Sequence, residues 1–146
     1  MSLLTPLIRL RLRANAIARR AAQRDGLPEP DPFPVVKLFN PMGAATWLAT
    51  ELDDDGDTLF GLADLGFGCP ELGLFSLSEI ESVRLPGGLG IERDRYFAAY
   101  FSLSIYAKVA RRTARIIEAE ALLAGLAQAR SRRNPPTSEI SPAPDG

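Results

Sequence analysis

Prolines stand at every second position from 28 to 34, alternating with Leu27, Glu29, Asp31 and Phe33. Each proline fixes its own φ and drives its predecessor toward extended backbone. Residues 27–34 are therefore expected to form a stiff, extended strap. A Gly/Ser-rich stretch would have made a flexible linker instead. The strap divides a segment of helical periodicity before it from a segment of short, turn-punctuated strands after it.

Before the strap, residues 5–24 read as a helix. Thr5 suits the N-cap and Pro6 the first helical position. Leu3, Leu7, Leu10, Ala14, Ile17 and Ala21 recur at spacings of four and three. That is one helical face, expected to meet the core. Gly26 ends the helix. After the strap, residues 35–97 read as an antiparallel sheet of four or five short strands. They run Val35–Phe39, Thr46–Leu52, Thr58–Leu65 and Leu72–Phe75, with Ile91–Phe97 as a final strand or edge segment. In the second strand Trp47, Ala49 and Glu51 are expected on one face, with Leu48, Thr50 and Leu52 on the other. Ser76 or Ser78 caps a single helical turn through Val83. Residues 102–130 read as one long helix, with an apolar stripe through Leu103, Tyr106, Ala110, Ala114, Ile117, Ala121 and Ala124. Residues 131–146 are rich in Ser, Pro and Arg and are expected to be a disordered tail. The expectation is a small α+β fold over residues 1–130, its sheet covered by an N-terminal and a long C-terminal helix.

Composition removes several chemistries. The 146 residues include no histidine and one cysteine, Cys69. Ser–His–Asp and Cys–His catalysis, histidine metal ligation, an intrachain disulfide and multi-cysteine clusters are excluded. Cys69, before Pro70, is expected to be partly buried and inert. No run of 18 apolar residues is present, so no membrane partner is expected, and a cytoplasmic location suits the cysteine usage. No cofactor is expected.

The net charge of −1 conceals a strong separation. Residues 1–24 carry six arginines and no acid; residues 33–80 carry eight acids against Lys37; residues 98–117 carry Lys108, Arg111, Arg112 and Arg115 and no acid. Either the helical ends neutralise the middle, or they present basic faces outward. In the second case Arg9, Arg13, Arg20, Arg24, Lys108, Arg112 and Arg115 are the candidate nucleic-acid contacts, salt-sensitive and poorly specific.

The acidic middle offers two candidate sites. Glu51, Asp53, Asp55 and Gly56 open like a calcium loop, but the twelfth position is Leu62 where a bidentate glutamate is needed. A hairpin turn with solvated carboxylates is the simpler account. Asp64, Glu71, Glu92 and Asp94 would suit Mg²⁺ as a hydrolase site if the sheet gathered them. Phe39, Trp47, Phe60, Phe67 and Phe75 suit core packing better than base stacking, because acids surround them. The glycines at 61, 66, 68 and 73 match no phosphate-loop pattern and read as turns and close strand approach.

The segments "PVVKLFNP", "ATWLATELDDDGDTLFGLADLGFGCPELGLFSLSEIESVR" and "LGIERDRYF" closely resemble a family of bacterial proteins described only as a domain of unknown function, whose members are often carried on plasmids and other mobile elements. The likeness runs from about Pro34 to Phe97, with a weaker echo in "LLTPLIRLRLRAN" and in the arginine-rich second helix. Its recurring residues fall here on positions such as Lys37, Trp47, Glu51, Gly61, Glu71, Glu79, Glu92 and Arg93. Relatives commonly read "ELGY" where this chain has Glu71–Leu72–Gly73–Leu74, and "LLANG" where it has Arg13–Ala14–Asn15–Ala16. At position 80 a leucine is common and this chain has Ile80. The resemblance implies a shared α+β fold and work on mobile DNA, and it supplies no activity. Together with the missing catalytic motifs, it makes a protein-binding accessory module the expectation. Glu71, Glu79, Glu92 and Arg93 are the candidate polar interaction site, with an Arg93–glutamate network tying the late loop to the sheet as the structural account of the same residues.

Overall fold

A computed structural model describes residues 2–133. Helix α1 (Pro6–Arg24) precedes strands β1 (Val36–Phe39), β2 (Thr46–Leu52), β3 (Thr58–Asp64) and β4 (Glu71–Ser76). The short helix α2 (Leu77–Glu81) and a single 3-10 turn at Pro86–Gly88 lead to β5 (Glu92–Arg93), followed by α3 (Leu103–Thr113) and α4 (Ile116–Arg133). The five strands form one antiparallel sheet in the order β4-β3-β2-β1-β5. The mixed α+β architecture agrees with the sequence. The last strand is shorter than the expected Ile91–Phe97 and lies beside β1. Residues 131–133 belong to α4, and residues 134–146 of the expected tail lie outside the described residues.

Each face of the sheet carries its own core. One joins Leu4, just before α1, and Leu12 of α1 to Val36, Leu38, Trp47, Ala49, Leu52 and Leu59, with Leu77 and Ile80 of α2. The other joins Leu48 and Leu62 to Leu103, Tyr106, Ala107 and Ala110 of α3 and to Ile116, Ala119 and Leu123 of α4.

A bulge in β2 sets the division between these cores. Ala49 pairs with Gly61, but Glu51 pairs with Phe60, which leaves Thr50 as the extra residue. One extra residue inverts the alternation that follows it. Leu52 therefore joins Trp47 and Ala49, and Glu51 turns to the opposite face with Phe60, reversing the expected placement of both. At the bulge the backbones lie very close. A Cβ on Gly61 would stand 1.9 Å from the Leu48 carbonyl oxygen. Only glycine permits that approach.

Helix α1 completes the same region. Strand β1 pairs with β2 only as far as Ala49, so the next carbonyls along that edge need other donors. The Asn15 side-chain amide donates to Thr50 O at 2.9 Å, and the Arg13 guanidinium donates to Leu52 O at 2.9 Å. Thr5 caps the helix, its hydroxyl accepting from Ile8 N at 3.2 Å. The buried face of α1 is Leu12, Ala16 and Ala22, whereas Leu7, Leu10 and Ile17 are 65%, 67% and 57% exposed. The stripe expected to enter the core thus points outward. Two apolar rows exist on this helix, and the edge of β2 selects the one that also carries Asn15 and Arg19.

The long C-terminal helix is broken. Ala114 adopts φ 68°, closing α3, and α4 begins two residues later. The buried Asp64 carboxylate explains the new start. It accepts from Ile116 N at 3.0 Å with one oxygen and from Gly66 N at 2.9 Å with the other. A carboxylate delivered from β3 thus does the work of an N-cap. The break shifts the helical phase, so Ile116, Ala119 and Leu123 face inward while Ile117 and Ala121 turn outward.

The Asp53–Asp57 turn is built from its own carboxylates. Asp55 accepts from Asp57 N, Thr58 N and the Thr58 hydroxyl, at 2.8, 2.8 and 2.6 Å. Asp57 accepts from the Ser76 hydroxyl and from Ser78 N, which fixes the start of α2 to the turn. Gly56 supplies the positive φ, at 72°.

Gly61→Ala is expected to cost about 3 kcal/mol or more, because backbone atoms of β2 would have to move. Gly73→Ala on β4 meets nothing within 4 Å and is expected to change stability by no more than ~1 kcal/mol. Denaturant midpoints of the two variants measure the contrast. Hydrogen bonds from Thr58 lower the Asp55 carboxyl from 3.8 to about 2. A lowered folded-state value gives stability that is present above the unfolded value and lost as pH falls through the folded one. The thermal midpoint should fall more steeply between pH 3.8 and 2 in the wild type than in Asp55→Asn.

Candidate functional site

Strand β4 forms one edge of the sheet, and a cleft lies on each side of it. The first cleft encloses about 550 Å³. Its floor is Phe60, Leu72, Leu74 and Leu103, and its walls are the strap residues Glu29–Pro32, Arg19 of α1 and the bulged segment Thr50–Glu51. The bulge brings Glu51 here. Burial of this carboxylate is compensated by Arg19, whose Nε donates to both oxygens at 2.9 and 3.0 Å. Asp31 holds the strap to α3 by accepting from Ser104 N at 3.1 Å and from the Ser104 hydroxyl. Leu103 N donates to Pro32 O at 2.9 Å. Glu29, Asp31, Glu51 and Asp53 outnumber Arg19 around the cleft, so its field is negative over an apolar floor.

The second cleft, about 470 Å³, lies on the other face of the edge. Trp47, Ala63, Phe75 and Ile80 line it, and Glu71 and Glu79 stand at its margin. Leu72 and Leu74 border both clefts. Leu74 is 72% exposed, and Phe67 in the loop leading into β4 is 84% exposed.

The structure divides the candidate polar residues into two pairs. Glu71 and Glu79 share the second cleft. Glu92 and Arg93 lie on β5, four strand spacings away, or about 19 Å. The same order separates the proposed Mg²⁺ ligands. Asp64 is engaged with α4, Glu71 lies beside Trp47 on the other face, and Glu92 and Asp94 lie beyond β1. Among the described residues no three carboxylate or cysteine side chains gather to hold a metal ion. The sheet topology thus corrects the expectation of a four-carboxylate centre.

The ion network near the late loop is centred on Lys37 instead of Arg93. Lys37 Nζ is 2.7 Å from Glu120 and 3.9 Å from Asp94. Burial pushes the Glu120 carboxyl upward, and Lys37 opposes that shift. Arg93 Nε is buried with no hydrogen-bond partner among the described residues.

The candidate nucleic-acid residues also divide. Arg20 pairs with Asp53 and Asp54, and Arg24 with Asp25. Arg9 and Arg13 donate to the Gly56 and Leu52 carbonyls. Much of α1 is thus turned to the acidic hairpin. Lys108, Arg112 and Arg115 are exposed and make no ion pair among the described residues. Cys69 is exposed, not partly buried, because its loop stands clear of the sheet. No described helix is long and apolar enough to cross a membrane.

Sequence reasoning missed the first cleft. Its only local signal is Gly61, whose close-approach role marks a bulge but not the direction Glu51 then takes. No curated relative and no solved structure matches the chain. The sequence profile of a family described as "Protein of unknown function (DUF2958)" matches residues 3–117, well over half of the 146. The bulge, the strap and the β4 edge all lie within that match, and the chain belongs to this family of proteins of unknown function.

Proposed function

We propose that the chain is a cytoplasmic accessory module associated with mobile genetic elements, and that it binds a partner protein by strand addition at β4. The carrying observation is the edge of β4, between two clefts, which no other strand pairs among the described residues. Exposed edges invite pairing with another chain, and folded proteins blunt them with lysine, proline or a covering element. Within Glu71–Ser76 there is no lysine or proline, and Leu72 and Leu74 are exposed. An added strand places alternate side chains on opposite faces, which suits one cleft on each face. The negative field of the first cleft favours a segment with a basic residue facing Glu29, Asp31 and Asp53. Glu71 and Glu79 then flank the segment on the second face.

A second reading, nucleic-acid binding, is favoured by Lys108, Arg112 and Arg115 alone. Titration of labelled DNA and RNA at two salt concentrations tests it, and absence of binding at low salt removes it.

Leu74→Asp is the test of strand addition. The site is exposed, so the thermal midpoint should stay within a few degrees of the wild type. A partner captured from the native cell should bind the variant at least about tenfold more weakly. Hydrogen exchange of the complex should show new protection on β4. Equal binding by the variant, or protection confined to other elements, would overturn the reading.

A further inference from the structure

Helix α1 carries a second apolar face, directly opposite the one it buries. Leu7, Leu10, Ala14, Ile17 and Ala21 follow one another at steps of three and four. That is a heptad seam, the pattern by which one helix packs along another. From Leu7 to Ala21 it runs about 21 Å at 1.5 Å per residue. Leu7, Leu10 and Ile17 are exposed, and no described element covers them. Large leucines and isoleucine at regular spacing on one helical face constitute a continuous patch, unlike singly scattered exposed residues.

The residues bordering the seam identify its partner. Arg11 borders one side, and Arg13, Arg20 and Arg24 border the other. The whole helix contains six arginines and no acid. Arg20 and Arg24 are paired with aspartates. Arg13 gives its hydrogen bond to an uncharged carbonyl, and Arg11 makes none among the described residues. A second copy of α1 would set arginines against arginines along both margins, which disfavours self-pairing. An anionic bilayer would match the charge, but the stripe holds no aromatic side chain and is partly alanine. Small residues between leucines suit the close approach of another helix.

From these features we infer that α1 docks an amphipathic helix of another protein, apolar at heptad spacing and acidic along both margins. This surface is separate from the β4 edge, and the two are independent.

The test uses the full chain and a fluorescent helical peptide of about three heptads, with leucine at the seam positions and glutamate at the flanking ones. A twin peptide carries lysine in place of glutamate. The acidic peptide should bind saturably, weaken with added salt, and outbind its twin by at least about tenfold. Leu10→Glu and Ile17→Glu should each reduce its affinity by about tenfold or more, with unchanged circular dichroism. Arg11→Glu, which leaves the apolar seam intact, should weaken the acidic peptide and strengthen the twin. Leu74→Asp should bind the acidic peptide like the wild type. Any of four results would overturn the inference: neither peptide binds, both bind equally, wild-type dimers dissociate on Leu10→Glu, or anionic phosphatidylserine vesicles retain the wild type but not Leu10→Glu.

Discussion

The added residue at Thr50 organises much of the molecule. It turns Leu52 into the core shared with α1 and turns Glu51 out of it. It also leaves a carbonyl at Thr50 that the β ladder cannot satisfy, and Asn15 satisfies it. Arg19, one turn further along α1, reaches the redirected Glu51. Gly61 admits the close backbone contact on the other side. A buried carboxylate is tolerable only when paired and hydrogen-bonded, so helix, bulge and glycine depend on one another. The first cleft is a by-product of this arrangement, since Glu51, Phe60 and Arg19 all line it.

The charge separation seen in the sequence has two outcomes in the fold. At the N-terminal end it is largely neutralisation. Arg19 and Arg20 meet acids of β2 and its turn, and Arg9 and Arg13 meet backbone oxygens of the same hairpin. From the middle of α3 into the interhelical joint, the cations stay on the surface. The two basic segments therefore differ in surroundings despite their similar composition, and Lys108, Arg112 and Arg115 make no ion pair among the described residues.

Local signals predicted the elements well. Thr5–Pro6 marked the start of α1, the alternating prolines marked the strap, and Asn40–Pro41 and Asp53–Gly56 marked the first two turns. These are residues whose backbone preferences act within a few positions. Phase and convergence were less legible. Helix α1 bears two apolar rows, and only the unsatisfied edge of β2 decides which one is buried. The C-terminal helix reads as continuous because Asp64, which starts its second half, lies 52 residues away in sequence. Of the candidate site, the residue types are legible but their grouping is not: Glu71 and Glu79 share a cleft because β4 runs straight into α2. Glu92 and Arg93 lie apart from them, because spacing along a chain carries no information about strand order.

The joint between α3 and α4 carries a further consequence. Ala114 holds a left-handed conformation that an L-residue with a Cβ adopts at a cost of about 1 kcal/mol. The grip of Asp64 on Ile116 N helps to offset that cost. The start of α4 is thus tied to the end of β3, while its body is held by Ile116, Ala119 and Leu123 in the core and by Glu120 on Lys37. One sheet carboxylate, placed 52 residues earlier in the chain, thus fixes where the C-terminal segment bends, and both helices keep their apolar sides on the same core.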